Sequence, residues 1–218
     1  MGDRLISDND IKIIKDNYWS RLTNAVKLVY INKRGECQYC KTISQLYKEI
    51  SGITDKISLE ELYIEDLPKD FIEEYNIIEA PVVIIKGRNK GLIKFYGIPS
   101  GMEFPSFIES IVKISNGEVD LPDEVISKVK SIDMKVNIKI FVTPSCPYCP
   151  KMVSTGFMFS ILNENIEVEA FESIEFPDIA EKYDVHAVPK IVINDKVSWE
   201  GMVPPDYFLE NILQALEK

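Results

Sequence analysis

All four cysteines of the chain fall into two C-x-x-C pairs, Cys37-Gln38-Tyr39-Cys40 and Cys146-Pro147-Tyr148-Cys149, and each pair holds the same place in a repeated pattern. Pro81 follows Cys40 by 41 positions and Pro189 follows Cys149 by 40, so the two halves stay in register. A tyrosine precedes each proline by six positions (Tyr75 and Tyr183), and each proline opens a β-branched run, VVII and KIVI. This is an internal repeat of roughly 100 residues, which requires one supersecondary unit to be built twice.

The hydrophobic patterning gives each unit the same order of elements. An apolar strand-like run precedes each cysteine pair, Val26 to Ile31 and Val136 to Val142, and a helix-like stretch follows it. The first helix is expected to start at Ser7, an N-cap with Asp8 and Asp10 in the first turn. Ile11, Ile14, Tyr18 and Leu22 then share one face. A helix to Ile50, a strand at Ile57 to Tyr63, a short helix around Phe71, two strands and a helix from Phe104 to Ile114 complete the unit. The second half repeats this from a helix at Asp123 to Ile132, through a strand at Ile166 to Phe171, to a helix at Asp206 to Leu216. Each half reads α-β-α-β-α-β-β-α. The expected fold class is α/β, with two tandem units over 1–117 and 118–218, each a mixed central sheet flanked by helices. The boundary lies in Ser115 to Pro122, where Asn116-Gly117 ends one helix and Leu121-Pro122-Asp123 starts the next.

The formal net charge of -10 excludes a basic groove along a phosphate backbone, so no nucleic-acid partner is expected. The longest apolar runs, such as Ala80 to Ile85, fall far short of the roughly 18 residues a membrane helix needs. Met1 to Asp10 lacks the apolar stretch of a secretion signal, and Ile6 occupies the Ser/Thr position of an N-myristoylation motif. These features lead to the expectation of a soluble, cytoplasmic protein without a membrane partner. In a reducing compartment, C-x-x-C pairs are metal ligands or redox centres rather than staples.

Redox chemistry is the better fit. A gap of 105 residues separates Cys40 from Cys146, whereas ribbon-type zinc sites separate their pairs by about 15–20. A structural zinc module is the alternative, and a docking adaptor with one working site is another; no resident metal is expected. A C-x-x-C at a strand-to-helix junction puts its first sulfur beside unpaired helix N–H groups, which favour the thiolate. Cys37 and Cys146 are therefore the expected nucleophiles, with Cys40 and Cys149 resolving the mixed disulfide. Glu36 precedes Cys37 and Ser145 precedes Cys146; an adjacent carboxylate disfavours a thiolate, with Lys33 and Arg34 available to offset it, so the second site is expected to be the more reactive. Pro147 and Pro150 fit early helix positions there. His186 is assigned no role and reads as a packing residue. Tyr39 and Tyr148 are candidates either for shaping access or for packing, and Trp19 and Trp199 read as core or unit-interface residues. No G-x-G-x-x-G fingerprint is present, so no bound FAD or NADPH is expected beyond the redox-active disulfides, and a separate reductase is inferred.

With these residues in place, the sequence resembles thioredoxin-fold proteins, and Cys146-Pro-Tyr-Cys149 resembles the glutaredoxin active site. The tandem CQYC and CPYC pairs narrow the resemblance to the glutaredoxin-like protein disulfide oxidoreductases of thermophilic archaea and bacteria. The abundant Lys and Glu fit such a source. The resemblance implies two thioredoxin-like units whose catalytic cysteines are Cys37, Cys40, Cys146 and Cys149. It also implies cis-prolines at Pro81 and Pro189, with Ala80 and Val188 pairing with substrate backbone. It further implies reduction, formation or isomerisation of disulfides in protein substrates, with electrons from a thioredoxin-reductase-type flavoenzyme and transfer to peroxiredoxins. Two departures stand out. Ile31 and Ile140 occupy the position of the thioredoxin buried acid, leaving Glu61 or Glu169 as candidates for proton transfer. Trp199-Glu-Gly-Met-Val-Pro-Pro-Asp206 replaces the Gly-Gly-x-Asp pattern that binds glutathione, which argues against glutathione as the reductant.

Overall fold

The structure is a computed structural model that describes residues 4–217. Met1 to Asp3, on which part of the leader and acylation reading rests, and Lys218 lie outside the described residues. Ser7 caps α1 (Asp8–Ile13), its hydroxyl accepting from the Asp10 N–H. The segment does not continue as one α-helix. It passes into a π turn (Ile14–Tyr18) and a 3-10 turn (Trp19–Arg21). The wider turn changes the helical phase, so Ile14, Trp19 and Leu22 reach the core while Ile11 and Tyr18 stay at its margin.

The first unit then runs β1 (Val26–Asn32), α2 (Cys40–Gly52), β2 (Ile57–Tyr63), α3 (Lys69–Glu74), β3 (Val82–Lys86), β4 (Leu92–Tyr96) and α4 (Glu103–Asn116). The second runs α5 (Asp123–Lys130), β5 (Val136–Val142), α6 (Cys149–Leu162), β6 (Ile166–Glu172), α7 (Pro177–Lys182), β7 (Lys190–Ile193), β8 (Val197–Glu200) and α8 (Pro205–Glu217). The expected element order holds in both halves, and the protein is an α/β fold of two tandem thioredoxin-like units. Between them Gly117 takes the left-handed conformation (φ 70°) that caps α4, its N–H donating to the Lys113 carbonyl.

The two sheets are not separate. Strand order is β2-β1-β3-β4-β6-β5-β7-β8, and the junction is a parallel pairing of β4 with β6, from Leu92 beside Glu167 to Tyr96 beside Phe171. Each unit on its own would expose one of these strands as an unpaired edge; pairing them satisfies both. On one face, α2, α4 and α6 cover a core shared by both units, and on the other α3 and α7 cover a smaller one. Helix α4 packs against α6 across the junction. Gly91 is needed here: its N–H donates to the Ser160 carbonyl at 2.9 Å, and a Cβ would run into the carbonyls of Ile166 and Asn163.

Trp19 is core, its Nε1–H donating to the Ile50 carbonyl, and Trp199 packs on Phe208 beneath the far edge strand, so neither tryptophan lies at the unit junction. Among the described residues, no helix is long and apolar enough to cross a membrane.

Candidate active sites

β1 and β5 run in the same direction, since two antiparallel steps and two parallel ones connect them. Both cysteine pairs follow the C-terminal ends of these strands and therefore share one rim of the sheet. Four strand spacings separate them, about 19 Å.

The loop after each strand turns back so that the helix opens on the second cysteine. Cys37 and Cys40 form one disulfide and Cys146 and Cys149 the other, with Cα atoms 5.5 Å apart in each. The first N–H of each helix donates to the outer sulfur, Cys40 N to Cys37 Sγ at 3.2 Å and Cys149 N to Cys146 Sγ at 3.1 Å. A thiolate at either outer position gains a charge-assisted hydrogen bond at the positive end of a helix. Pro150 occupies the first turn of α6 and Pro147 lies just ahead of it.

The Ala80–Pro81 and Val188–Pro189 bonds are both cis. The Val188 carbonyl oxygen lies 3.7 Å from Cys146 Sγ, and Ala80 and Pro81 line the cleft that holds Cys37. Behind each proline a glycine at positive φ donates to its carbonyl: Gly97 N to Pro81 O at 3.0 Å and Gly201 N to Pro189 O at 2.8 Å. Sequence reading missed these two glycines. The signal was a Gly directly after the last strand of each half.

The sites differ in cover. Cys37 is half-buried in a cleft of about 390 Å³, whereas Cys146 is 6% exposed. The steric side of the comparison therefore opposes the charge argument that favours Cys146. The cations expected to offset Glu36 are engaged elsewhere: Arg34 forks onto Asp66, and Lys33 lies 3.5 Å from Glu79. Tyr39 packs against the core, while Tyr148 and His186 are exposed, so the histidine is not a packing residue.

Neither proposed proton-transfer acid is placed for the task. Glu169 shares a sheet face with Phe171, opposite the face on which Ile140 and Val168 meet Gly156 of α6. It is consumed by Lys94, by Asn137 and by the Tyr96 hydroxyl. Burial alone would raise the Glu61 pKa, but hydrogen bonds from Lys48, Asn32 and Ser44 hold it below the usual carboxylate range, which suits a fixed anion.

Three other carboxyls, all missed in the sequence, occupy the rim. Glu103 opens α4, between the Met102 N–H that donates to Pro144 O and the Ser106 hydroxyl that donates to Pro150 O, so that turn grips the backbone on either side of Cys146 and Cys149. Its carboxyl is 2% exposed, and its Oε1 has no hydrogen-bond partner among the described residues. Burial pushes its pKa up to about 8. Glu172 ends β6 and Glu175 follows it, both against Gly97 of the first unit, and Glu175 lines the Cys37 cleft. Burial raises the Glu172 pKa against the N–H groups of Ile174 and Glu175, and burial pushes Glu175 up to about 7.

A raised carboxyl pKa has a defined sign. Between pH 4.5 and about 8 the unfolded chain releases the Glu103 proton that the folded chain keeps, so stability is greatest below this window and falls as pH rises through it. Glu175 adds to the fall up to about pH 7. Replacing Glu103 by Gln is expected to reduce the loss between pH 5 and pH 8 by a few kcal/mol, measured by denaturant unfolding at both pH values. An unchanged pH slope in the variant would contradict this assignment.

Residues 136–214 match the family model described as a thioredoxin domain. Over 212 residues the chain is 25% identical to a protein named NADH dehydrogenase from Bacillus subtilis, covering 97% of this chain and 38% of that one. Over 167 residues it is 29% identical to an alkyl hydroperoxide reductase component of Pseudomonas aeruginosa, covering 77% and 30%. The chain thus spans about a third of the length of the curated relatives it matches. Among solved structures, a protein disulfide oxidoreductase from Aeropyrum pernix superposes with a TM-score of 0.86 at 28% identity, covering 97% of this chain and 94% of that one.

Proposed function

We propose that the protein is a protein thiol–disulfide oxidoreductase with two working dithiol/disulfide sites. The observation that carries this reading is the doubled arrangement: each unit sets a C-x-x-C disulfide at a strand-to-helix junction, gives its outer sulfur a backbone N–H, and lays a proline-led strand beside it. The likeness to a solved protein disulfide oxidoreductase over nearly the whole chain supports it. In this reading 1–117 and 118–218 are the two units, and the disulfides are the only redox groups required.

Reduction begins when the Cys37 or Cys146 thiolate attacks a substrate disulfide, forms a mixed disulfide and expels one substrate thiolate. Cys40 or Cys149, one helical turn on, then loses its proton, attacks the outer sulfur and expels the second substrate thiolate. The enzyme pair ends oxidised, the substrate ends as two thiols, and the reverse sequence forms a disulfide. Ala80 and Pro81, and Val188 and Pro189, position the substrate backbone: a peptide laid along Val188 lies against Cys146 Sγ, given the 3.7 Å approach of the Val188 carbonyl. The reductant in this reading is a thioredoxin-reductase-type flavoenzyme, the acceptors include peroxiredoxins, and the setting is the cytoplasm. Relatives named NADH dehydrogenase and alkyl hydroperoxide reductase favour that electron path.

The test is single-turnover reduction of a protein disulfide by the fully reduced chain. Two substrate disulfides per chain are expected, and one in each of C37S/C40S and C146S/C149S. No reduction, with one zinc retained per chain, would replace this reading with the structural one.

A further inference from the structure

The cleft around Cys37 is not built by the first unit alone. One wall is Cys37, Tyr39, Ala80 and Pro81; the other is the segment after β6 of the second unit, from Ile174 to Ile179. Ile174 stands 66% exposed at its lip. Glu175 is the ionisable group at the root of this wall. Its Oε1 accepts the Ile98 N–H at 2.6 Å, and its carboxylate lies over Gly97, where a Cβ would leave it no room. Gly97 is the residue whose N–H holds the Pro81 carbonyl, so a carboxyl of the second unit rests directly on the loop that frames the first site.

We propose that Glu175, reaching across from the second unit, exchanges the proton with the Cys37–Cys40 pair, in the place that Ile31 leaves without an acid. The inference rests on the reading above that this pair is redox-active. In the reducing direction the ionised Glu175 takes the Cys40 thiol proton; the Cys40 thiolate attacks Cys37 sulfur, the mixed disulfide breaks, and the departing substrate thiolate receives that proton. Charge and atoms balance without another reactant.

The surroundings suit the task. Burial raises the Glu175 pKa, the Ile98 N–H opposes it, and the charge of Glu172 at the end of β6 adds to the rise, which brings the group up to about 7, close to the pH at which a proton relay is most effective. From the first unit, Tyr30 on β1 and Tyr47 on α2 face it; both phenols are raised, first by burial and in part by the Glu175 charge. The Tyr30 hydroxyl donates to the Cys40 carbonyl at 3.1 Å, which ties this environment to the resolving cysteine. Lys33, Glu36, Glu79 and Asp178 complete the charged groups of the cleft. The second site has a cross-unit carboxyl beside its loop, Glu103, in the turn of the first unit that holds Pro144 and Pro150.

The experiment uses the full chain carrying C146S/C149S, reduced and mixed with excess dithiobis(2-nitrobenzoate). Attack by Cys37 releases one coloured thiolate in a reagent-dependent phase, and resolution by Cys40 releases a second in a reagent-independent phase. Adding Glu175→Gln is expected to slow the second phase by about two orders of magnitude at pH 7.5, to remove its inflection near pH 7, and to let it approach the parent rate at strongly alkaline pH, where hydroxide takes the thiol proton directly. That recovery separates proton exchange from misfolding, which lowers the rate at every pH, and Glu175→Asp should restore part of the neutral rate. A second phase with the same pH profile in E175Q would overturn the inference. No second phase in the parent would overturn both the inference and the redox reading beneath it.

Discussion

Replacing Lys94 by Met is expected to destabilise the protein by about 3–5 kcal/mol, the usual effect of removing one partner from a buried ion pair. Lys94 is 0% exposed in the strand that joins the two units. Its ammonium donates to the carbonyls of Tyr75 and Asn76 at 2.9 and 2.6 Å and pairs with Glu167 at 2.6 Å and Glu169 at 2.9 Å. Methionine keeps the stem packing but leaves the fully buried Glu169 with Lys139, 3.8 Å away, as its one cation beside the neutral donors Asn137 and Tyr96, and strands two carbonyls. For a chain of this size each kcal/mol moves the melting midpoint by about 2–4 °C, so a drop on the order of 10 °C is expected. Combining K94M with Glu169→Gln should cost less than the sum of the single changes, because the stranded charge disappears with its partner. Denaturant unfolding of the four proteins measures this. Strictly additive losses would mean that the two groups are not coupled across the β4–β6 junction.

The larger effect belongs to the sulfurs. In C37S/C146S both attacking thiolates become hydroxyls that are not ionised at neutral pH, and single-turnover reduction of a protein disulfide should fall by roughly two orders of magnitude or more. The single variants distinguish how the units work together. Two independent sites predict that C37S and C146S each retain one turnover per chain. A relay from one unit to the other predicts that either single change is as damaging as both, and one idle site predicts that one of them is silent. The strands that carry the two pairs stand four spacings apart, about 19 Å, which favours independence over direct sulfur-to-sulfur exchange.

The repeat, the strand-to-helix placement of both cysteine pairs and the element order were legible because each leaves a local mark: a spacing, a periodicity, a proline before an apolar run. What escaped reading depends on contacts between the units. β4 and β6 each look like an ordinary edge strand, and Lys94 in LIKFY or Glu169 in IEVEAFE looks like a solvent-facing position until the other strand covers it. The same blindness led to Glu169 as a proton relay, since only sheet parity shows that it faces away from α6. Glu103 in a helix first turn reads as a dipole carboxylate, and Glu175 as part of a polar loop; the cross-unit contacts beside them, Met102 on Pro144 and Glu175 on Ile98, leave no local mark. The π turn after α1 has no composition signal, and the phase change it introduces moved Trp19 inward and Tyr18 outward.

The most direct measurement of the central claim is a glutathione-buffered redox titration of the wild type, C37S/C40S and C146S/C149S, with free thiols counted by mass. The account predicts four titrating thiols in the wild type, in two two-electron transitions, with one transition surviving in each variant. A variant whose remaining pair stays oxidised or reduced across the whole range would contradict the claim that both units carry a working redox site.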